Sequence, residues 1–114
     1  MKNSNSSSTT GNYRKGLAPL LILALLRQQD MYGYQLVLEL EKQTDGIYTL
    51  QEGSLYPVLY KLVDQGHISD RKELVGRRMT RVYYHIEPSG LKLLDELIKE
   101  YNETVAAVRS VLGN

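Results

Sequence analysis

Apolar residues fill the chain between positions 17 and 26, where Pro19 is the one helix breaker. This density is too high for a surface helix, so we expect residues 13–27 to form a helix that is enclosed by its own domain and by a partner, with Leu17 and Leu21 toward that partner. Pro19 fits such a helix only in its first turn. The run is too short to span a bilayer and no small-residue cleavage site follows it, so it indicates a buried helix rather than a targeting segment.

A second helical stripe lies in residues 32–43. Its apolar positions are Tyr32, Leu36 and Leu40, with Val37 on the flank. Asp30 precedes the stripe and is expected to cap the helix, which the Thr-Asp-Gly sequence at 44–46 ends. A short extended piece at residues 47–50 follows.

Residues 51–65 carry a third helical stripe. Its apolar positions are Leu55, Val58, Leu59 and Leu62. Pro57 would break a helix interior, so we expect Ser54 to be the N-cap, because Pro57 then occupies the third helical position and has no hydrogen bond to lose. Gly66 is expected to close the helix.

The pattern changes after Gly66, where residues 67–74 and 81–86 predict two strands. The second segment is rich in β-branched and aromatic residues, and a turn that contains glycine and arginines separates the two. This arrangement is typical of a β-hairpin.

The last apolar pattern begins after the Pro-Ser-Gly sequence at 88–90 and continues to Leu112 without a breaker. Its spacing alternates between three and four residues, as in a helix that packs along another helix. The seam consists of Leu91, Leu94, Ile98, Tyr101, Val105, Val108 and Leu112. We therefore predict a long helix that forms a homodimer, with the seam from Leu94 onward in the interface.

The order of these elements is that of a winged helix-turn-helix, in which the third helix enters the DNA major groove. The predicted fold class is mainly α with a small β-hairpin, with a DNA-binding domain at residues 13–87 and a C-terminal dimerisation helix at 88–114. Residues 1–12 contain no large aliphatic side chain after Met1 and are expected to form a disordered tail. The same topology also occurs in modules that bind only proteins, which is the alternative function.

Charge is unevenly distributed along this chain, whose formal net charge is only +1. Between Arg71 and Arg81 there are five basic residues and one acidic residue, whereas residues 95–103 are mainly acidic. The chain contains no cysteine, which excludes disulfides and thiolate metal sites and is compatible with a cytoplasmic location. The two histidines, His67 and His85, have no clustered partners for a metal site or a catalytic triad, so we expect no metal, no cofactor and no enzyme.

The turn of the hairpin is the first candidate DNA contact, because it presents Arg77, Arg78 and Arg81 without a carboxylate. Guanidinium groups match phosphate oxygens in a bidentate manner. Alternatively, these arginines serve solubility or pair with the acidic C-terminal helix.

The polar face of the third helix is the second candidate DNA contact. It carries hydroxyl and ammonium groups suited to phosphates and base edges, and Tyr34 on the second helix can reach a flanking phosphate. The residues of the face are Ser54, Tyr56, Tyr60 and Lys61. For each tyrosine, a half-buried structural position is the alternative.

Several strings of the chain resemble the PadR-like family of transcriptional regulators. They are MYGYQL (31–36), EGSLYPVLYKL (52–62), the GRR and YY of residues 76–84, and the PSG that follows. The resemblance extends over residues 14–112. It implies a winged-helix repressor that dimerises through its C-terminal helix and binds an inverted-repeat operator, with third-helix and hairpin residues toward the DNA.

The resemblance also implies release by small aromatic or drug-like ligands, as in several members of the family. Members that hold flat drugs between facing aromatic rings use a tryptophan on the C-terminal helix, whereas this chain has no tryptophan and carries Tyr101 at the matching place. Tyr101 is therefore the candidate ligand-binding residue, with a plain packing role as the alternative. The chain departs further from the family at Met79 and Thr80, which interrupt the basic residues of the hairpin.

Overall fold

The helices and strands of the computed structural model follow the order of a winged helix-turn-helix with a long C-terminal helix. The structure describes residues 13–114, so the predicted tail at 1–12 lies outside the described residues. The elements are α1 (Ala18–Gln28), β1 (Met31–Tyr32), α2 (Gly33–Gln43), α3 (Glu52–Asp64), β2 (Ile68–Val75), β3 (Met79–Ile86) and α4 (Pro88–Leu112). The predicted fold class is confirmed. Within the described residues, none of the helices has both the length and the apolar character required to cross a membrane.

The strands form one antiparallel sheet in the order β1-β3-β2. The predicted hairpin is confirmed, but Met79 and Thr80 are part of β3, where they pair with Val75 and Leu74. The turn is therefore restricted to residues 76–78, with Gly76 at a φ of 73°, a conformation that glycine adopts without steric cost. We call β2, β3 and this turn the wing.

The core lies where α1, α2 and α3 meet the sheet and the first half of α4. α1 begins at Ala18 and not at residue 13 as predicted, but Pro19 is in its first turn and the chain itself encloses Ile22, Leu23 and Leu26, which are almost inaccessible to solvent. Leu94 of α4 is 0% exposed within the chain itself. Its assignment to the dimer interface was wrong, because a side chain that is already enclosed leaves no surface for a partner.

The two N-terminal helix caps that the sequence predicted are wrong. Asp30 does not cap α2. The N-cap residue is Tyr32, whose backbone N–H donates a hydrogen bond to Gln35 Oε1 at 3.4 Å. Ser54 does not cap α3 either, because the helix begins at Glu52 and the carbonyl of Gln51 accepts the N–H groups of Ser54 and Leu55, each at 2.9 Å.

Pro57 consequently lies inside α3, in its second turn. Its ring nitrogen cannot donate to the carbonyl of Gly53, four residues earlier. Gly53 is exposed to solvent, so water can satisfy that carbonyl and the helix continues. At the other end, Gly66 closes α3 as predicted, with a φ of 81° and an N–H bond to the carbonyl of Val63.

Candidate nucleic-acid interface

A cleft lined by tyrosines separates α3 from the wing. It has a volume of about 550 Å³ and is bordered on the wing side by Asp70, Thr80, Arg81 and Val82. The tyrosines that line it are Tyr32, Tyr34, Tyr56, Tyr60 and Tyr84. The structure thus brings four of the predicted DNA contacts, Tyr34, Tyr56, Tyr60 and Arg81, to one place, which we call the tyrosine cleft.

Two tyrosines of α3 line one side of the tyrosine cleft. Tyr60 is 62% exposed, and its ring centroid lies 5.9 Å from that of Tyr56, which is half-buried. Burial raises the pKa of the Tyr56 phenol, and the charge of Glu52 and the neighbouring Tyr60 raise it further. Tyr56 is therefore a neutral hydroxyl at physiological pH, able to donate a hydrogen bond to a phosphate or a base edge.

Gly33 makes room for the Tyr56 ring. A Cβ atom at position 33 would collide with the Tyr56 hydroxyl and would lie 2.9 Å from Cζ of that ring. The glycine in the MYGYQL string thus has a packing role that helical periodicity alone does not reveal. Tyr84 of β3 is buried, and burial raises its pKa to about 12.

Arg81 lies on β3 rather than in the exposed turn, which corrects its predicted placement. Its guanidinium stacks over the ring of Tyr32, 4.2 Å from the centroid. The rings of Tyr32 and Tyr83 meet edge to face with their centroids 5.5 Å apart. The guanidinium of Arg71 stacks on the Tyr83 ring, 5.3 Å from its centroid. Stacking of this kind orients a cation without neutralising it, so Arg81 is held at the rim of the tyrosine cleft.

Asp30 ties the wing to the segment between α1 and β1. Its carboxylate accepts hydrogen bonds from Arg71 Nη1 at 2.6 Å and from His85 Nδ1 at 2.7 Å, and Arg71 Nε also donates to Glu73 at 2.7 Å. Partial burial raises the pKa of Asp30, but the hydrogen bonds and charges of His85 and Arg71 outweigh it and hold the pKa below its ordinary value. The ionised carboxylate of Asp30 therefore stabilises the folded chain at neutral pH, and this stabilisation is lost as the pH falls through the lowered pKa of Asp30.

Arg71 contributes little free charge to the predicted basic cluster, since two carboxylates already surround it. Arg77 and Arg78, in contrast, are exposed in the turn of the wing and form no ion pair with any residue from 13 to 114. Pairing with the acidic part of α4 is thus not seen within the chain. Lys61 and Ser54 are exposed on α3, but they lie outside the tyrosine cleft.

The predicted dimer residues are only partly brought together. Leu17, Tyr101, Val105, Val108 and Leu112 line an open groove of about 490 Å³ between the segment before α1 and the second half of α4, which we call the terminal groove. Leu21 and Ile98 lie outside it and pack against the core. Two further leucines line the groove without having been assigned to the interface: Leu20 lies in the first turn of α1, and Leu97 lies off the a/d seam of α4.

The histidines take structural roles. His67 Nδ1 lies 3.1 Å from the hydroxyl of Ser89, and His85 contacts Asp30. No group of three or more potential metal ligands occurs within the part of the chain that the structure describes.

Comparison with known proteins identifies a family. The model of the transcriptional regulator PadR-like family matches residues 22–96. The structure of a PadR family transcriptional regulator from Eggerthella lenta is 27% identical, with a TM-score of 0.83 over 96% of this chain and 94% of the other.

Two further matches come from Bacillus subtilis. The structure of PadR in complex with operator DNA is 26% identical, with a TM-score of 0.66 over 70% of this chain and 45% of the other. The negative transcriptional regulator PadR is 28% identical over 66% of this chain and 41% of its own length. The chain therefore spans less than half the length of these two proteins.

Proposed function

Because the chain belongs to the PadR-like family of transcriptional regulators, a family of DNA-binding regulators and not of enzymes, we propose that it represses transcription by binding an inverted-repeat operator as a homodimer. The observation that carries the proposal is the exposed face of α3, which lies across the tyrosine cleft from a wing whose Arg77 and Arg78 form no ion pair within residues 13–114. Residues 13–87 bind the DNA, and residues 88–114 join the two subunits.

The chemistry of the side chains determines which part of the DNA each element contacts. Ser54, Tyr60 and Lys61 on the exposed face of α3 reach base edges and phosphates in the major groove. Arg77 and Arg78 at the turn of the wing bind phosphates, for which no base-specific geometry is needed. Tyr34, Tyr56 and Arg81 border the tyrosine cleft, where a sugar-phosphate backbone leaving the groove would pass.

The terminal groove supports the homodimer. Its apolar side chains include Tyr101 at 41%, Val108 at 47% and Leu112 at 66% exposure. Glu100 and Arg109 also line the groove, but an exposed surface that is mostly apolar typically marks an interface. A second copy of α4 on this surface would bury it and place two α3 helices about 34 Å apart, one turn of DNA.

The bound dimer would repress transcription, and a ligand would release it from the DNA. The Bacillus subtilis relative is a negative regulator, and occupation of a promoter by the dimer would have the same effect here. A small aromatic ligand beside Tyr101 would release the DNA by binding better to a dimer whose α3 helices are wrongly spaced. The protein would act in the cytoplasm of a prokaryotic cell, with no cofactor.

Selection of random duplexes by the purified protein tests the proposal. We expect enrichment of an inverted repeat whose half-site centres lie about 10 base pairs apart, and protection of both half-sites in footprinting. Enrichment of a single unrepeated site would contradict the homodimeric mode, and no enrichment would contradict sequence-specific DNA binding.

A further inference from the structure

A second basic site flanks α3 on the side away from the wing. Arg14 and Lys15, which precede α1, border a cavity of about 370 Å³ together with Thr49, Gln51 and Ser54. Both basic side chains are exposed. We propose that Arg14 and Lys15 bind a phosphate of the DNA backbone, opposite the strand that the wing contacts. This inference rests on the proposed function and extends its footprint.

The position of this cavity relative to α3 supports the assignment. Each residue of an α-helix advances by about 100°, so Ser54 points about 160° away from Tyr56. Tyr56 lines the tyrosine cleft next to the wing, whereas Ser54 lines the cavity with Arg14 and Lys15. The exposed face of α3 therefore has cationic side chains on both flanks, as required for an element inserted between the two strands that border a major groove about 12 Å wide.

The backbone that carries the two basic residues is fixed to the loop before α3. Nη1 of Arg14 donates to the carbonyl of Ile47 at 2.9 Å, and the hydroxyl of Tyr48 donates to the carbonyl of Arg14 at 2.7 Å. The N–H of Leu17 also donates to the carbonyl of Arg14, at 3.0 Å. This anchoring places Lys15 before DNA arrives, and preorganisation of this kind lowers the entropy lost on binding.

The charges around the cavity favour a polyanion. No carboxylate lines it, and within residues 13–114 neither Arg14 nor Lys15 forms an ion pair. The carboxylates of Glu41 and Glu52 line the neighbouring cleft, which shares Thr49, Leu50 and Gln51 with the cavity, and not the cavity itself. Polar side chains of Thr49, Gln51 and Ser54 can add hydrogen bonds to phosphate oxygens. A DNA backbone continuous with the α3 face meets all of these groups.

The Lys15→Ala variant tests the site, with Lys99→Ala as the matched control. Lys15 is preferred to Arg14 because Arg14 also holds the loop through Ile47. Lys99 is exposed on α4 and lines neither the cavity nor the tyrosine cleft, and its loss changes the net charge equally. On the duplex selected by the wild-type protein, Lys15→Ala should flatten the negative slope of log K against log salt by about 0.9 per subunit. Lys15→Glu should weaken binding further, and Lys99→Ala should match wild type.

Duplexes with single neutral methylphosphonate linkages then locate the contact. The wild-type protein should lose affinity when the phosphate opposite the wing side is neutralised, and Lys15→Ala should be insensitive to that change alone. If Lys15→Ala has the same salt slope as Lys99→Ala while Arg77→Ala flattens that slope, this inference is wrong and the proposed function stands. If the wild-type protein shows no salt-dependent binding to any duplex, both are wrong.

Discussion

The Val108→Glu variant is expected to be a folded monomer that no longer binds its operator measurably. Val108 lines the terminal groove and is 47% exposed in the single chain, so a glutamate there leaves the core intact. In the proposed dimer it would place an unpaired carboxylate in an apolar seam, at a cost of roughly 3 kcal/mol or more per subunit. Because the dimer contains two copies of the variant side chain, this penalty weakens dimerisation by at least about ten-thousandfold. Sedimentation at micromolar concentration measures it.

Ala106→Glu is the matched control for this change. Ala106 is exposed, and two helical residues separate its direction from that of Val108 by about 160°. Ala106→Glu should remain dimeric, and both variants should still unfold in a cooperative transition, because neither change disturbs the core of the chain. Position 98 is less suitable, because Ile98 packs against the core of its own chain. An unchanged dimer dissociation constant for Val108→Glu would show that the terminal groove is not the interface.

The Gly90→Ala variant is expected to lose about 1–3 kcal/mol of folding free energy, as overpacked cores do. Gly90 is buried in the first turn of α4, where a Cβ atom would collide with the carbonyl oxygen of His67 and lie 2.9 Å from Cγ1 of Ile86. That carbonyl also accepts the N–H of Glu87 at 3.0 Å. Because one colliding group is backbone, no rotamer change relieves the clash, and α4 must move away from the sheet.

Gly53→Ala provides the comparison for Gly90→Ala, since both glycines lie in the first turn of a helix. A Cβ atom at position 53 meets no atom within 4 Å, so alanine should stabilise the protein by up to about 1 kcal/mol through its better helix propensity. Denaturant unfolding of both variants measures the difference. Equal effects of the two substitutions would contradict the close packing of α4 at Gly90.

Local patterns were sufficient to predict the helices, the hairpin and the long C-terminal helix, because each depends on periodicity within its own segment. They were insufficient where a distant residue decides the outcome. β1 has only two residues and exists because Met31 and Tyr32 pair with Tyr84 and Tyr83. Asp30 looked like a helix cap, but its partners Arg71 and His85 lie 41 and 55 residues away.

The candidate interface was likewise predicted only where local patterns determine it. The arginines of the turn and the polar face of α3 could be identified from the sequence, because exposure follows from helical and hairpin geometry. The flanks could not be identified. Arg81 is placed by the ring of Tyr32, and Lys15 is brought beside α3 by a hydrogen bond of Arg14 that spans 33 residues. Helical periodicity likewise could not show that Leu94 is buried in the core of its own chain.

The salt dependence of binding to the selected duplex, measured for the wild-type protein and for Arg77→Ala, tests DNA binding through α3 and the wing most directly. For the wild-type protein, log K should fall linearly with log salt, and Arg77→Ala should flatten the slope by about one unit per subunit as one phosphate contact is lost. An affinity that is independent of salt, or a slope that stays unchanged when both Arg77 and Arg78 are neutralised, would contradict this mode of binding and favour a module that binds only proteins.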